Sequence, residues 1–154
     1  MEWSWPGFKP AIYAYPEVIL GYKPWDPGEG SLAFSSRVDA LRSFEARFDI
    51  RIDGETDKFN VALEFWLTDR KGGGPGSINT EVMVWLHNGS LTPAGDKRGS
   101  FRTGDYRAAI YVEDEMRDGS GESPVTWRYI ALKAKTHRLA GAIELREVLV
   151  ALRK

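Results

Sequence analysis

Alternation of apolar and polar side chains with period two constrains this 154-residue chain more than any other feature in it. From Phe44 to Asp53, Phe44, Ala46, Phe48, Ile50 and Ile52 fall on one side. From Phe59 to Thr68 the apolar set is Phe59, Val61, Leu63, Phe65 and Leu67, and from Thr80 to Leu86 it is Val82, Val84 and Leu86. Successive side chains leave a strand on opposite faces, so each run predicts a half-buried β-strand. Arg107 to Val112 and Val125 to Lys135 are further strand candidates. Ala11 to Gly21 is apolar and ends in the turn-rich segment Tyr22 to Gly28. Lys71 to Ser77 is a glycine-rich loop that lacks the Gly-Lys-Ser/Thr and helix of a phosphate cradle. The acidic stretch Glu113 to Glu122 is expected as a solvated hairpin connection. Helical spacing appears once, in Leu139 to Leu152, where Ala142, Leu145, Val148, Leu149 and Leu152 recur on one side. Many strands with one late helix predict an all-β, two-sheet antiparallel sandwich forming a single domain over residues 1–154. There is no internal repeat and no linker.

Charge and composition remove several functions. The 21 basic and 22 acidic residues nearly cancel, which leaves no electrostatic footprint for nucleic acid or an anionic membrane. No apolar run is long enough to span a bilayer. The N-terminus lacks the basic-then-apolar pattern of a signal peptide. The absence of cysteine excludes disulfides, a thiol nucleophile and a cysteine-based zinc site. The two histidines, His87 and His137, lie far apart in sequence and are expected as ordinary loop or surface residues, so neither a histidine metal cluster nor a histidine-based triad is expected. What stands out is six Trp, six Tyr and seven Phe in one small domain. Aromatics suit half-buried strands, and they also suit a surface that stacks on sugar rings; composition leaves both readings open.

Two strands narrow that choice. Opposite the aliphatic face of Thr80 to Leu86 stand Glu81, Met83 and Trp85. Opposite the apolar face of Phe59 to Thr68 stand Asn60, Ala62, Glu64, Trp66 and Thr68. Each strand therefore presents a Glu beside a Trp on its non-core face. A solvent-facing sheet surface is the plainer reading. A carbohydrate cleft is the other, with indoles as apolar platforms for pyranose rings and paired carboxylates to carry out glycoside hydrolysis.

The motifs also resemble a known family. Tyr15-Pro16-Glu17-Val18-Ile19-Leu20-Gly21-Tyr22-Lys23-Pro24-Trp25, the run Phe59 to Thr68, and Glu81-Val82-Met83-Val84-Trp85-Leu86 followed by Pro93-Ala94-Gly95 are similar to segments of glycoside hydrolase family 12. Trp127-Arg128-Tyr129-Ile130-Ala131 and the helix after it follow in the same order. The resemblance implies a β-jelly-roll with a concave cleft. It also implies a secreted endo-β-1,4-glucanase acting with retention, without a metal or organic cofactor, on cellulose, mixed-linkage glucan or xyloglucan. Glu81 occupies the nucleophile position, and Glu64 that of a carboxylate that hydrogen-bonds the nucleophile. Asn60, Met83 and Trp85 match positions lining central subsites, and Trp25 a platform farther along the cleft. Trp66 and Trp127 are weaker substrate contacts, with core packing the expectation for Trp127.

The family carries strands before the Tyr-Pro-Glu segment and an acid/base Glu on a strand after the helix, so the sequence is expected to be part of a longer chain. Glu144 and Glu147 do not replace that acid, because their helical setting predicts surface pairing with nearby Arg residues. Glu17 lies beside an apolar run, and nothing in the sequence places it in the cleft. A non-catalytic β-glucan-binding module and an interaction domain with exposed aromatics remain the rival functions.

Overall fold

Strands β5 (Ile78–His87) and β8 (Thr126–Ala134) run parallel through the middle of a five-stranded sheet. The structure, a computed structural model, describes residues 17–24, 26–31, 35–55, 57–117 and 125–153. The sheet is completed by β4 (Val61–Thr68) on one edge and by β7 (Tyr106–Arg117) and β6 (Asp96–Thr103) on the other, in the order β4-β5-β8-β7-β6. Its other contacts are antiparallel. Apart from this sheet, β1 (Tyr22–Lys23) pairs with β2 (Asp26–Gly30), and β3 (Glu45–Asp49) with β9 (Ala140–Glu144), both antiparallel. Helix α1 (Leu145–Leu152) follows β9 directly.

The core lies between the five-stranded sheet and the layer made by β3, β9 and α1. Val82, Val84, Leu86 and Leu132 have no exposed surface, and Ile143, Leu145 and Val148 meet them from the other layer. Phe44, Ala46, Phe48 and Ile50 pack on this core as their alternation predicts, with the Phe44 and Phe65 rings edge to face at 5.5 Å. The two-sheet sandwich with one late helix is thus the observed architecture. Among the described residues no helix is long and apolar enough to cross a membrane.

Several local expectations are corrected. The helix expected from Leu139 begins only at Leu145, because Ala140–Glu144 pairs residue for residue with β3 and Gly141 takes φ +127°. Glu144 ends the strand and caps the helix, accepting from the backbone N–H groups of Arg146 and Phe44 rather than pairing with an arginine. Glu147 accepts from the Thr103 hydroxyl. The connection expected from Glu113 is strand as far as Arg117, with a register irregularity between Glu113 and Met116 that kinks β7. Strand β6 was not anticipated. It is an edge whose first five residues are exposed, so it carries little apolar alternation.

The loop after β4 is held by a short turn at Pro75–Ser77, where buried Ser77 donates to the Gly74 carbonyl. His137 is the exposed loop residue expected, whereas His87 is not, and the two meet. His87 is buried at the end of β5, and its Nδ1 lies 3.0 Å from that of His137, so one ring donates and the other, neutral, accepts. The two rings, with centroids 4.3 Å apart, tie β5 to the segment between β8 and β9.

Gly95, in the Pro93-Ala94-Gly95 motif, adopts φ +79°, and a Cβ there would stand 2.1 Å from the Val112 carbonyl oxygen. Only glycine lets the chain enter β6 this close to β7. Tyr106, at the start of β7, reaches across the core face, and its hydroxyl donates 2.7 Å to the Leu132 carbonyl and lies 3.2 Å from that of Trp85. This clamp spans both central strands. Tyr106→Phe keeps the ring and removes the bond, and we expect a loss of about 1–2 kcal/mol in denaturant unfolding with an unchanged m-value.

Candidate active site

Strand register places the sequence-predicted acids and aromatics on the sheet face turned away from the core. Glu81 stands opposite Trp66 of β4 and Tyr129 of β8, and Tyr129 opposite Glu113 of β7. The next row along the strands is Glu64, Met83, Ala131 and Tyr111, and the third is Ala62, Trp85, Lys133 and Ala109. Trp85, Tyr129 and Ala131 are buried together, with Ala62, Met83, Tyr111 and Met116 packed around them. This face therefore has an apolar floor of its own, and the acids rise from that floor.

Glu81 is only 8% exposed. Its Oε2 accepts a hydrogen bond of 2.8 Å from the Trp127 indole N–H. Burial pushes its carboxyl up to about 7; the Trp127 bond works against this, and the charge of Glu64 adds to it. Glu64 is the diagonal neighbour of Glu81 across the β4–β5 pair, and its Oε1 accepts 2.6 Å from the Trp66 indole N–H. Desolvation raises the Glu64 carboxyl as well, opposed by the Trp66 bond and supported by the negative charge of Glu17. The Trp66 and Trp127 rings meet edge to face with centroids 5.5 Å apart.

The arrangement changes several sequence expectations. Trp127 is not a core residue; it holds Glu81 and touches Trp66 on the exposed side of the sheet. Met83 lies beneath the Tyr129 hydroxyl, 3.5 Å from its sulfur. Trp85 is enclosed, and its indole nitrogen has no hydrogen-bond partner among the described residues. Asn60 is half-buried immediately before β4. Trp25 lies outside the described residues, as do Tyr15 and Pro16 of the same motif. Glu17 is near enough to act on Glu64, and it is bridged at 3.0 Å to Lys23. The fold thus brings it towards this face, a placement no local pattern predicts.

Tyr129, Tyr111, Met116 and Glu113 were not singled out from the sequence. For Tyr129 a signal existed: in Val125 to Lys135 it shares a face with Trp127 and Lys133. Among the described residues no three His, Asp or Glu side chains come together to hold a metal ion. Two carboxylates on an aromatic floor, one of them buried, are suited to acid–base and nucleophilic chemistry on an uncharged substrate.

The sequence model described as "Glycosyl hydrolase family 12" matches residues 1–134. Endoglucanase S of Pectobacterium parmentieri is 29% identical over 98 residues, which are 62% of this chain and 36% of that protein. A native family 12 xyloglucanase from Bacillus licheniformis superposes with a TM-score of 0.75 at 18% identity, covering 97% of this chain and 63% of that one. An endoglucanase from Rhodothermus marinus, cel12A, gives a TM-score of 0.59 at 20% identity, covering 79% of this chain and 50% of that one. The chain spans less than two thirds of the length of each of these relatives. The structural likenesses show a shared jelly-roll, and with the family's sequence pattern running through β8, the chain belongs to glycosyl hydrolase family 12.

Proposed function

We propose that Glu81 is the nucleophile of a retaining endo-β-1,4-glucanase that acts on cellulose, mixed-linkage glucan or xyloglucan. The observation that carries the reading is Glu81: a buried carboxylate on an aromatic face, held through one oxygen by an indole N–H and flanked by a second acid. With Oε2 engaged by Trp127, Oε1 is the oxygen available to attack the anomeric carbon. Attack forms a glycosyl ester as the glycosidic C–O bond breaks, and water later releases the sugar. Glu64 acts as the like-charged neighbour whose charge adds to the effect of burial on Glu81. Met83, Trp85, Trp66 and Asn60 line the adjoining glucan subsites, and Trp25 extends them. Trp127 contributes through Glu81 more than through a sugar. The leaving oxygen takes its proton from a general acid other than Glu81 and Glu64, and the same group then deprotonates the water that releases the sugar. The endoglucanase and xyloglucanase names of the relatives support a β-glucan substrate, and polymers of that kind place the enzyme outside the cell.

Incubation with carboxymethyl-cellulose or xyloglucan is expected to release reducing ends, and Glu81→Gln to lower that release by on the order of 10³-fold or more. Equal release by both proteins, or none by either, would sink the assignment. Because the nucleophile must be ionised, kcat/KM is expected to fall about tenfold per pH unit below a midpoint near 7.

The same carboxyl makes stability depend on pH. Its folded value lies above its unfolded one, so its contribution is complete below the ordinary glutamate range and is lost as pH rises through about 7. The loss is on the order of 3 kcal/mol. Thermal melts should therefore show Glu81→Gln more stable than the parent at pH 8, with the advantage gone at pH 4.

A further inference from the structure

Two of the tryptophans are held in a way that stacking on a sugar does not require. An indole N–H donates and has no acceptor capacity. Trp127 and Trp66 each direct it at a carboxylate, 2.8 Å to Glu81 Oε2 and 2.6 Å to Glu64 Oε1. The two rings then meet edge to face, at 5.5 Å and 64°. Trp66 also lies directly across the strand pair from Glu81. Contact therefore runs from Glu64 through Trp66 and Trp127 to Glu81.

We infer that Trp66 and Trp127 act as a single positioning unit for the two carboxylates: each indole holds one oxygen of its acid, and the edge contact between the rings passes a change at one acid to the other. The inference rests on the reading of Glu81 as the nucleophile with Glu64 as its charged neighbour, and adds the device that orients the two. A donor-only partner favours the ionised carboxylate and restricts its rotation, so the attacking oxygen of Glu81 is selected before substrate arrives. When Glu81 is protonated, its bond to Trp127 weakens and the indole is less firmly held. Trp66 loses part of its packing partner, and Glu64 is affected through its own bond as well as through the lost charge.

The full chain, with ¹³C-labelled glutamate carboxyls, allows the Glu81 and Glu64 titrations to be followed by NMR without turnover. Trp127→Phe keeps a ring against Trp66 and removes the donor, and the Glu81 midpoint should rise by about one pH unit. Trp66→Leu and Trp66→Phe both remove the donor to Glu64, but only the first removes the ring. The Glu81 midpoint should therefore be higher in Trp66→Leu than in Trp66→Phe. If Trp127→Phe does not fold, benzothienylalanine at position 127, with sulfur in place of the N–H, keeps the shape and should give the same rise. An unmoved Glu81 midpoint in the folded position-127 variant overturns the inference, as do identical Glu81 titrations in the two Trp66 variants. Sugar release is a separate readout: a chain that releases none yet shows these shifts keeps the positioning unit and loses only the proposed reaction.

Discussion

Burial of Val82, Val84 and Leu86 against Ile130 and Leu132 is the contact on which the rest of this structure depends. These side chains come from the two parallel strands of the sheet, and they meet α1, Ile143, Phe44 and Phe48 in one apolar layer. A strand that commits alternate residues to such a layer has no freedom in where the others go. A slip of one residue in β5 would bring Glu81, Met83 and Trp85 into the core and expose three aliphatic side chains. The hydrophobic layer is therefore what places Glu81 on the opposite face, beside Glu64 and the indoles.

That placement has an electrostatic cost. A carboxylate 8% exposed on an apolar floor is partly stripped of water, and a second acid beside it adds repulsion. The fold offsets the cost with indole N–H groups, one for each acid. Indole suits the task because it donates without accepting and brings a large apolar ring to the floor it stands on. The aromatic richness of the chain thus has two roles on this face, as apolar surface and as hydrogen-bond donor.

Much of this was legible in the sequence, and the failures have physical reasons. The alternation in Phe44 to Asp53, Phe59 to Thr68 and Thr80 to Leu86 predicted the inward faces of β3, β4 and β5 because one side of each is packed against the core, although β3 ends at Asp49 and β4 begins at Val61. Strand β6 was missed because an exposed edge strand has no such side. Ala140–Glu144 was misread because Ala142 and Leu145 fit a helical spacing, while pairing with β3 drew the first five residues into a sheet. Trp127 was expected in the core because an isolated Trp on a strand usually packs there. Its partner, Glu81, is 46 residues away and is reached only through the β5–β8 register.

The sequence by itself determined which residues could share a face, because side-chain parity is a local property of the strand. Together with the ordered motifs, that was enough to mark Glu81 and Glu64 and to indicate the family. Only the tertiary structure decided which faces meet. The parallel contact of β5 with β8, the closing of His87 on His137, the approach of Glu17 to Glu64 and the bracing of both acids by Trp66 and Trp127 all join distant segments. No local pattern encodes these contacts, because each depends on the order and register in which the strands assemble.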